Sequence, residues 1–336
     1  MSRLRILLPL LLAAVVLLGG EVAAKEEPLE RLLGNLLRAE TNDAVDRALD
    51  SLATRIGDRT EFPNAGAFGD FLGQVAEPKR SHPRVQLRRG WAYIAAGRGR
   101  EAIGLLEKAE RDAPSKPTAL AYRGEALRQS GDAARALAVL TEAAGAGYTN
   151  AFLPEAALKA AFSLRDPARI RATDGLPPYA EPLAAFLETR PDPVLHASLA
   201  RWILEDLQAY EIPGSERAGR WAEHAGKQVL KALQLDRGLA GGAQLALDAA
   251  VALEAEDRDR EGATDRFDLL AWAVRLGAGP DSERHAVPPA LAFLAEAALR
   301  EGRYELAYRM ARRRLDVSDS PLARQVLMQL PPDIGD

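Results

Sequence analysis

Apolar residues recur at three- and four-residue spacing along almost the whole chain, and no long stretch alternates apolar with polar positions. Leu29, Leu32, Leu33, Leu36 and Leu37 form one stripe behind Pro28, and Val45, Leu49, Leu52 and Ile56 form another behind Asn42. This periodicity predicts a helix over residues 28–38 and a second, capped by Asn42, running to Ile56. A turn-rich loop around Pro63 follows, then a short helix carrying Phe68, Phe71, Leu72 and Val75, a pair that reads as a divergent hairpin. Further helices are predicted over 85–96, 100–112, 151–164, 194–210, 215–235, 239–256 and 265–276. Breaks fall at 173–178 and 191–193, with a loop over 277–287. Ala, Leu, Arg and Glu dominate, a composition that favours helix throughout. The expected fold class is all-α.

One stretch repeats itself. QLRRGWAYIAAGRGREAIGLLEKAERDAP (residues 86–114) aligns without a gap on LAYRGEALRQSGDAARALAVLTEAAGAGY (residues 120–148). Gly90 falls on Gly124, Gly97 on Gly131, Ala102 on Ala136, Leu106 on Leu140 and Ala109 on Ala143, every pair at the same offset. A period of about 34 residues points to stacked helical hairpins. Gly97 and Gly131 sit where a helix must end in a left-handed residue. Gly90, Gly124, Ala102, Ala109, Ala136 and Ala143 are small where two helix backbones approach. Tyr93, Ile103, Leu105 and Leu106 fill the seam at helical spacing. A single hairpin leaves its apolar face open, so about three stacked units are needed for stability.

With these residues in place, the pattern resembles the tetratricopeptide repeat family. The resemblance implies an α-solenoid of tetratricopeptide-like hairpins, partly degenerate. The units start at Pro83 and Pro117, and Tyr148 stands where the family has proline. Residues 151–164 keep the phase for a further half unit, with Asp166 and Pro167 in the turn. A degenerate unit starts at Pro288, where Ala295, Gly302 and Ala307 hold small-residue slots and Arg314 replaces an alanine. The organisation expected is a signal peptide (1–24), N-terminal helices (25–82), repeats (83–172), a helical region of uncertain repeat character (173–280) and a degenerate C-terminal unit (281–336).

The resemblance also implies a concave groove, faced by Arg84, Trp91 and Ile94 in the first unit and by Thr118, Glu125, Arg128 and Gln129 in the second. Such a groove accepts an extended peptide or a partner helix. Trp91 is the expected anchor, set against the alternative that it packs on the preceding hairpin. Leu87 and Trp91 occupy positions where some family members carry the residues that clamp a C-terminal carboxylate, which disfavours that ligand class.

Composition narrows the class of function. The chain has 336 residues, 47% hydrophobic and 27% charged, with a net charge of −4, which describes an ordinary folded protein and a poor nucleic-acid binder. Arg3 and Arg5 precede the apolar run 6–18, and small residues lead to Ala24, the pattern of a secretory signal cleaved after Ala24. The run is shorter than the roughly 20 residues of a membrane span. Membrane contact is expected only if this segment is retained as an anchor. With no cysteine, disulfides and thiol chemistry are excluded.

The four histidines, His82, His196, His224 and His285, lack metal-ligand spacing. Gly97 to Ala102 imitates a dinucleotide fingerprint without the strand that must precede it. Asp257, Asp259, Glu261, Gly262, Asp265 and Asp268 approach calcium-loop spacing, but Arg258, Arg260, Thr264 and the short Asp268 fit a solvated connection better. Arg309, Arg312, Arg313 and Arg314 read as a solvated helix face. No metal, cofactor or catalytic constellation is expected. The reading is an exported scaffold that binds a protein or peptide. The alternatives are an exported enzyme with its catalytic unit in 173–280 and the repeats as a docking arm, or a membrane-anchored assembly factor.

Overall fold

Short polar side chains write the helix starts. Thr41, Asn64, Asp132, Asp192, Ser215 and Ser320 each accept a hydrogen bond from a backbone N–H in the first turn, satisfying a donor that the helix leaves open. Pro83, Pro117, Pro167, Pro193 and Pro321 occupy first-turn positions, where the missing N–H costs nothing. The computed structural model describes residues 27–58, 61–211, 215–256, 264–277, 286–331 and 334, without the side chains of 254–256, 264 and 265. The signal-like segment 1–24 and the calcium-like spacing at 257–263 lie outside the described residues.

Among the described residues the chain is all-α, with seventeen helices and no strand. They are α1 (Leu29–Arg38), α2 (Asn42–Ala53), α3 (Ala65–Gln74), α4 (Pro83–Ala95), α5 (Gly99–Ala109), α6 (Lys116–Gln129), α7 (Ala133–Gly145) and α8 (Phe152–Leu164). There follow α9 (Pro167–Ala172), α10 (Ala180–Thr189), α11 (Pro193–Tyr210), α12 (Glu216–Leu235), α13 (Gly242–Glu256), α14 (Thr264–Gly277), α15 (Val287–Arg300), α16 (Tyr304–Val317) and α17 (Pro321–Gln329). Most helices pack chiefly on their neighbours in sequence, a solenoid-like arrangement.

The repeat period has a visible cause. Gly97 and Gly131 take φ +74° and +92° between α4 and α5 and between α6 and α7. The amide after each turns back on its helix, Arg98 N–H to the Tyr93 carbonyl at 2.8 Å and Asp132 N–H to that of Leu127 at 3.0 Å. Arg303 N–H repeats the turn at the Ala298 carbonyl, 2.8 Å away, between α15 and α16. At the helix crossings a Cβ on Gly90 would stand 2.6 Å from Leu106 Cδ2, and one on Gly124 would stand 2.5 Å from Leu140 Cγ. Ala102, Ala109, Ala136 and Ala143 are fully buried in the same seams.

The third unit explains where the period fails. α8 lies beside α6 as a third first-helix, but α10, not the segment straight after α8, packs on α7 and α8. Its partner therefore arrives late, after α9 and residues 173–179. The predicted turn at Asp166 and Pro167 and the break ending at Pro193 do interrupt the helices, and each leads into a helix start with an aspartate cap and proline in the first turn. Three expectations are corrected. Thr41 rather than Asn42 caps α2, because its hydroxyl receives Ala44 N–H at 3.3 Å. α2 ends at Ala53, and Ile56 instead pairs with Phe62 in an isolated bridge. Leu37 faces solvent while Leu32 and Leu36 are buried.

The main hydrophobic core runs from Leu120 in α6 to Ala297 in α15, so packing continues across residues 172 and 280. A second core joins α1, α2, α3 and the start of α4, and a third joins α15, α16 and α17. A small cluster of Tyr93, Ala102, Leu106 and Ala126 lies between the N-terminal and main cores.

Candidate partner-binding face

α4 packs on α6, and α6 on α8, so the first helices of successive units share one face. The seven sequence-predicted residues divide on it. Arg84 is committed at the start of α4, with ion pairs to Asp46 of α2 at 3.1 Å and to Asp112 after α5 at 3.9 Å. Trp91 is half-buried against the N-terminal core, with the Arg88 guanidinium 5.6 Å from its ring centroid. Thr118 is half-buried in the first turn of α6. The other four are brought together. Glu125, 7% exposed, receives the Arg128 guanidinium through two hydrogen bonds of 2.7 and 2.6 Å. The Gln129 amide donates to Glu125 at 3.2 Å and to the Ile94 carbonyl at 3.1 Å, tying α6 to α4. Hydrogen bonds to Glu125 raise the Arg128 pKa, so the guanidinium keeps its charge.

The repeat arithmetic reaches one unit further. Lys159, Phe162 and Ser163 stand one full period beyond Glu125, Arg128 and Gln129 and continue the face on α8. Phe162 is 60% exposed, the most exposed aromatic ring among the described residues. Its ring lies 5.7 Å from that of Trp202 on α11. Arg128, Leu158, Lys159, Phe162, Ser163 and Trp202 line an open cavity of about 410 Å³. The sequence carried a signal for the α8 residues, the same offset that relates the first two units. It carried none for Trp202, because α11 follows the late helix and has lost the register.

Trp202 is held by a buried polar cluster. Its ring meets Tyr179 edge-on at 5.8 Å and the Arg165 guanidinium at 5.8 Å. Asp206, one turn on and 3% exposed, accepts from Tyr179 Oη at 2.5 Å, Arg165 Nε at 3.0 Å and Arg165 Nη2 at 2.7 Å. Arg165 Nη2 also donates to Glu205 at 2.8 Å. Burial opposes the charge on Arg165, yet its hydrogen bonds to Asp206 and Glu205 more than offset this and its pKa rises. Burial first, then the Asp206 hydrogen bond, pushes Tyr179 well above the ordinary phenol range, so it remains a donor. The cluster locks the ends of α8, α10 and α11 together beneath the ring.

Two histidines converge between α11 and α12. His196 Nδ1 is 2.7 Å from Gln228 Oε1, and Gln228 Nε2 is 3.2 Å from His224 Nε2. The amide orientation makes His196 the donor and His224 the acceptor. Burial lowers the pKa of both imidazoles, which fits a neutral pair. Among the described residues no group of three His, Asp or Glu side chains is placed to hold a metal ion, and no helix is long and apolar enough to cross a membrane. No known protein family matches the chain, and no curated protein matches it.

Proposed function

We propose that the protein is an exported helical-repeat scaffold of the tetratricopeptide kind, binding a protein or peptide segment across the face of α4, α6, α8 and α11. The observation that carries this reading is Phe162, an aromatic ring left 60% exposed beside Trp202. A ring fixed on a rigid helix loses little freedom on binding and gains by desolvation, which is how aromatic anchors dominate interfaces. Trp91 spends much of its surface on the N-terminal core, so Phe162 is the better anchor. The engaged acid and imidazoles of 173–280 favour the scaffold over a catalytic unit there: Asp206 is occupied by Arg165 and Tyr179, and His196 and His224 by Gln228. Export rests on the segment ending at Ala24, and mass spectrometry of the native protein would find a chain beginning at Lys25. An intact N-terminus in the membrane fraction would establish the anchored alternative instead.

The test of binding is affinity purification from the exported fraction with wild type and Phe162→Ala at equal helicity. A partner held by wild type and lost by the variant is the expected result. Identical partners on both would place binding away from this face.

A further inference from the structure

α11 has a cavity on each flank. Successive residues turn by about 100° around a helix, so exposed Arg201, Glu205 and Gln208 mark one solvent-facing stripe. Trp202 and Asp206 fall to one side of that stripe, and Leu204, Leu207 and Glu211 to the other. On the first side is the cavity shared with α6 and α8, where the charged lining residues are Arg128 and Lys159. On the second is a cavity of about 500 Å³ between α11, α13 and α15, with Leu204, Leu207, Leu247 and Phe293 among its apolar walls. The charged residues lining it are Glu211 and Asp248. Two apolar hollows therefore open beside one exposed stripe, and their charges have opposite sign.

We propose that a single extended peptide crosses α11 with an apolar side chain in each hollow, a carboxylate beside the one against α8 and a lysine or arginine beside the one against α13. This rests on the peptide-binding reading above. Neighbouring helix axes lie about 8–10 Å apart, which an extended chain covers in roughly three residues at ~3.3 Å each. The anchors are thus about three or four residues apart. Arg128 and Glu211 are already closed in ion pairs with Glu125 and Arg217. Lys159 and Asp248 are the adaptable charges. Lys159 is exposed and held only by a surface pair with Glu155, which a ligand carboxylate displaces at small cost. Asp248 is exposed, with a 2.6 Å bond from Gln244. A uniformly acidic or uniformly basic segment meets like charge in one hollow, so the pair of charges selects sequence and direction together.

The test is selection of a phage-displayed library of short random peptides on the mature chain, repeated on Phe162→Ala and on the exposed double reversal Lys159→Glu with Asp248→Lys. Circular dichroism confirms equal helicity. The expected peptides carry two apolar anchors, an acid next to one and a base next to the other. They lose about tenfold or more in affinity on Phe162→Ala, and the double reversal selects the opposite order of charges. Peptides that depend on Phe162 but show no paired charges, or keep their order on the reversed protein, overturn the inference and leave the binding face standing. Peptides indifferent to Phe162→Ala, or no enrichment at all, overturn both.

Discussion

Between Pro83 and Tyr148 the helices are held by a contact set that recurs once per repeat: glycine against leucine at each crossing, buried alanines beside it, and a left-handed glycine at each turn. Between Arg165 and Trp221 the apolar core continues, and polar side chains reaching across long stretches of sequence are added to it. Arg165 and Tyr179 meet on Asp206, and Arg190 donates to the carbonyls of Tyr148 and Thr149 at 3.0 and 2.9 Å. Arg217 reaches the carbonyls of Thr173 and Ile170, Arg220 that of Asp174, and Trp221 Nε1 that of Gly175 at 2.8 Å. The difference follows from the late helix. Where α10 is delayed, residues 170–175 have carbonyls with no helical partner, and three residues on one face of α12 supply the donors. Tethers are added to the apolar packing where the chain cannot keep its period.

The largest test of this contrast is Asp206→Ala. It strands the buried Tyr179 hydroxyl and leaves Arg165 with Glu205 alone, so chemical denaturation should show a loss of about 2–4 kcal/mol. A loss below about 1 kcal/mol would mean that ordinary packing holds the junction as well. Next comes Gly124→Leu in the periodic region, where the side chain must displace Leu140, at about 1–3 kcal/mol. An unchanged melting temperature would remove the close-crossing account of the period. Gly104, exposed in α5 with nothing near its would-be Cβ, should respond oppositely. Gly104→Ala is expected to stabilise by about 0.5–1 kcal/mol through backbone entropy alone.

The smallest effect is in pH. Burial lowers the pKa of His196 and His224 below the ordinary 6.5, so just below that pH the unfolded chain binds protons that the folded chain refuses. Stability therefore falls as pH drops from 6.5 toward the lowered folded values. His82 caps α4, accepting from Arg84 N–H at 3.2 Å, and burial lowers its pKa as well, but residues 83–148 contain no histidine. Hydrogen exchange, corrected for its intrinsic pH dependence, should show α11 and α12 losing protection across that window while α5 to α7 do not. Equal loss in both would detach the effect from the His–Gln–His bridge.

Most of the helices were legible in the sequence because an apolar stripe at helical spacing needs no knowledge of its partner. The hairpins of 83–148 were legible because Gly90, Gly97, Ala102 and their counterparts recur for steric reasons. The face was only partly legible. Glu125, Arg128, Gln129 and Ile94 converge, but Arg84 and Trp91 are drawn off by Asp46, Asp112 and the N-terminal core, contacts set by helices outside the period. Phe162 could be reached by counting one period on from Arg128. Trp202 and Asp206 could not, since nothing in the spacing of the chain states that α10 would close on α7 before α11 begins.

The small cluster of Tyr93, Ala102, Leu106 and Ala126 has a mechanical consequence. It lies between two much larger cores, so α4 to α6 form a thin apolar bridge between them. Under a pulling force applied at the chain ends, the N-terminal helices should detach there as one block while the main core still bears load. A solenoid made this way yields first near its N-terminal end, and the packing from α7 onward is spared the first step of the pull.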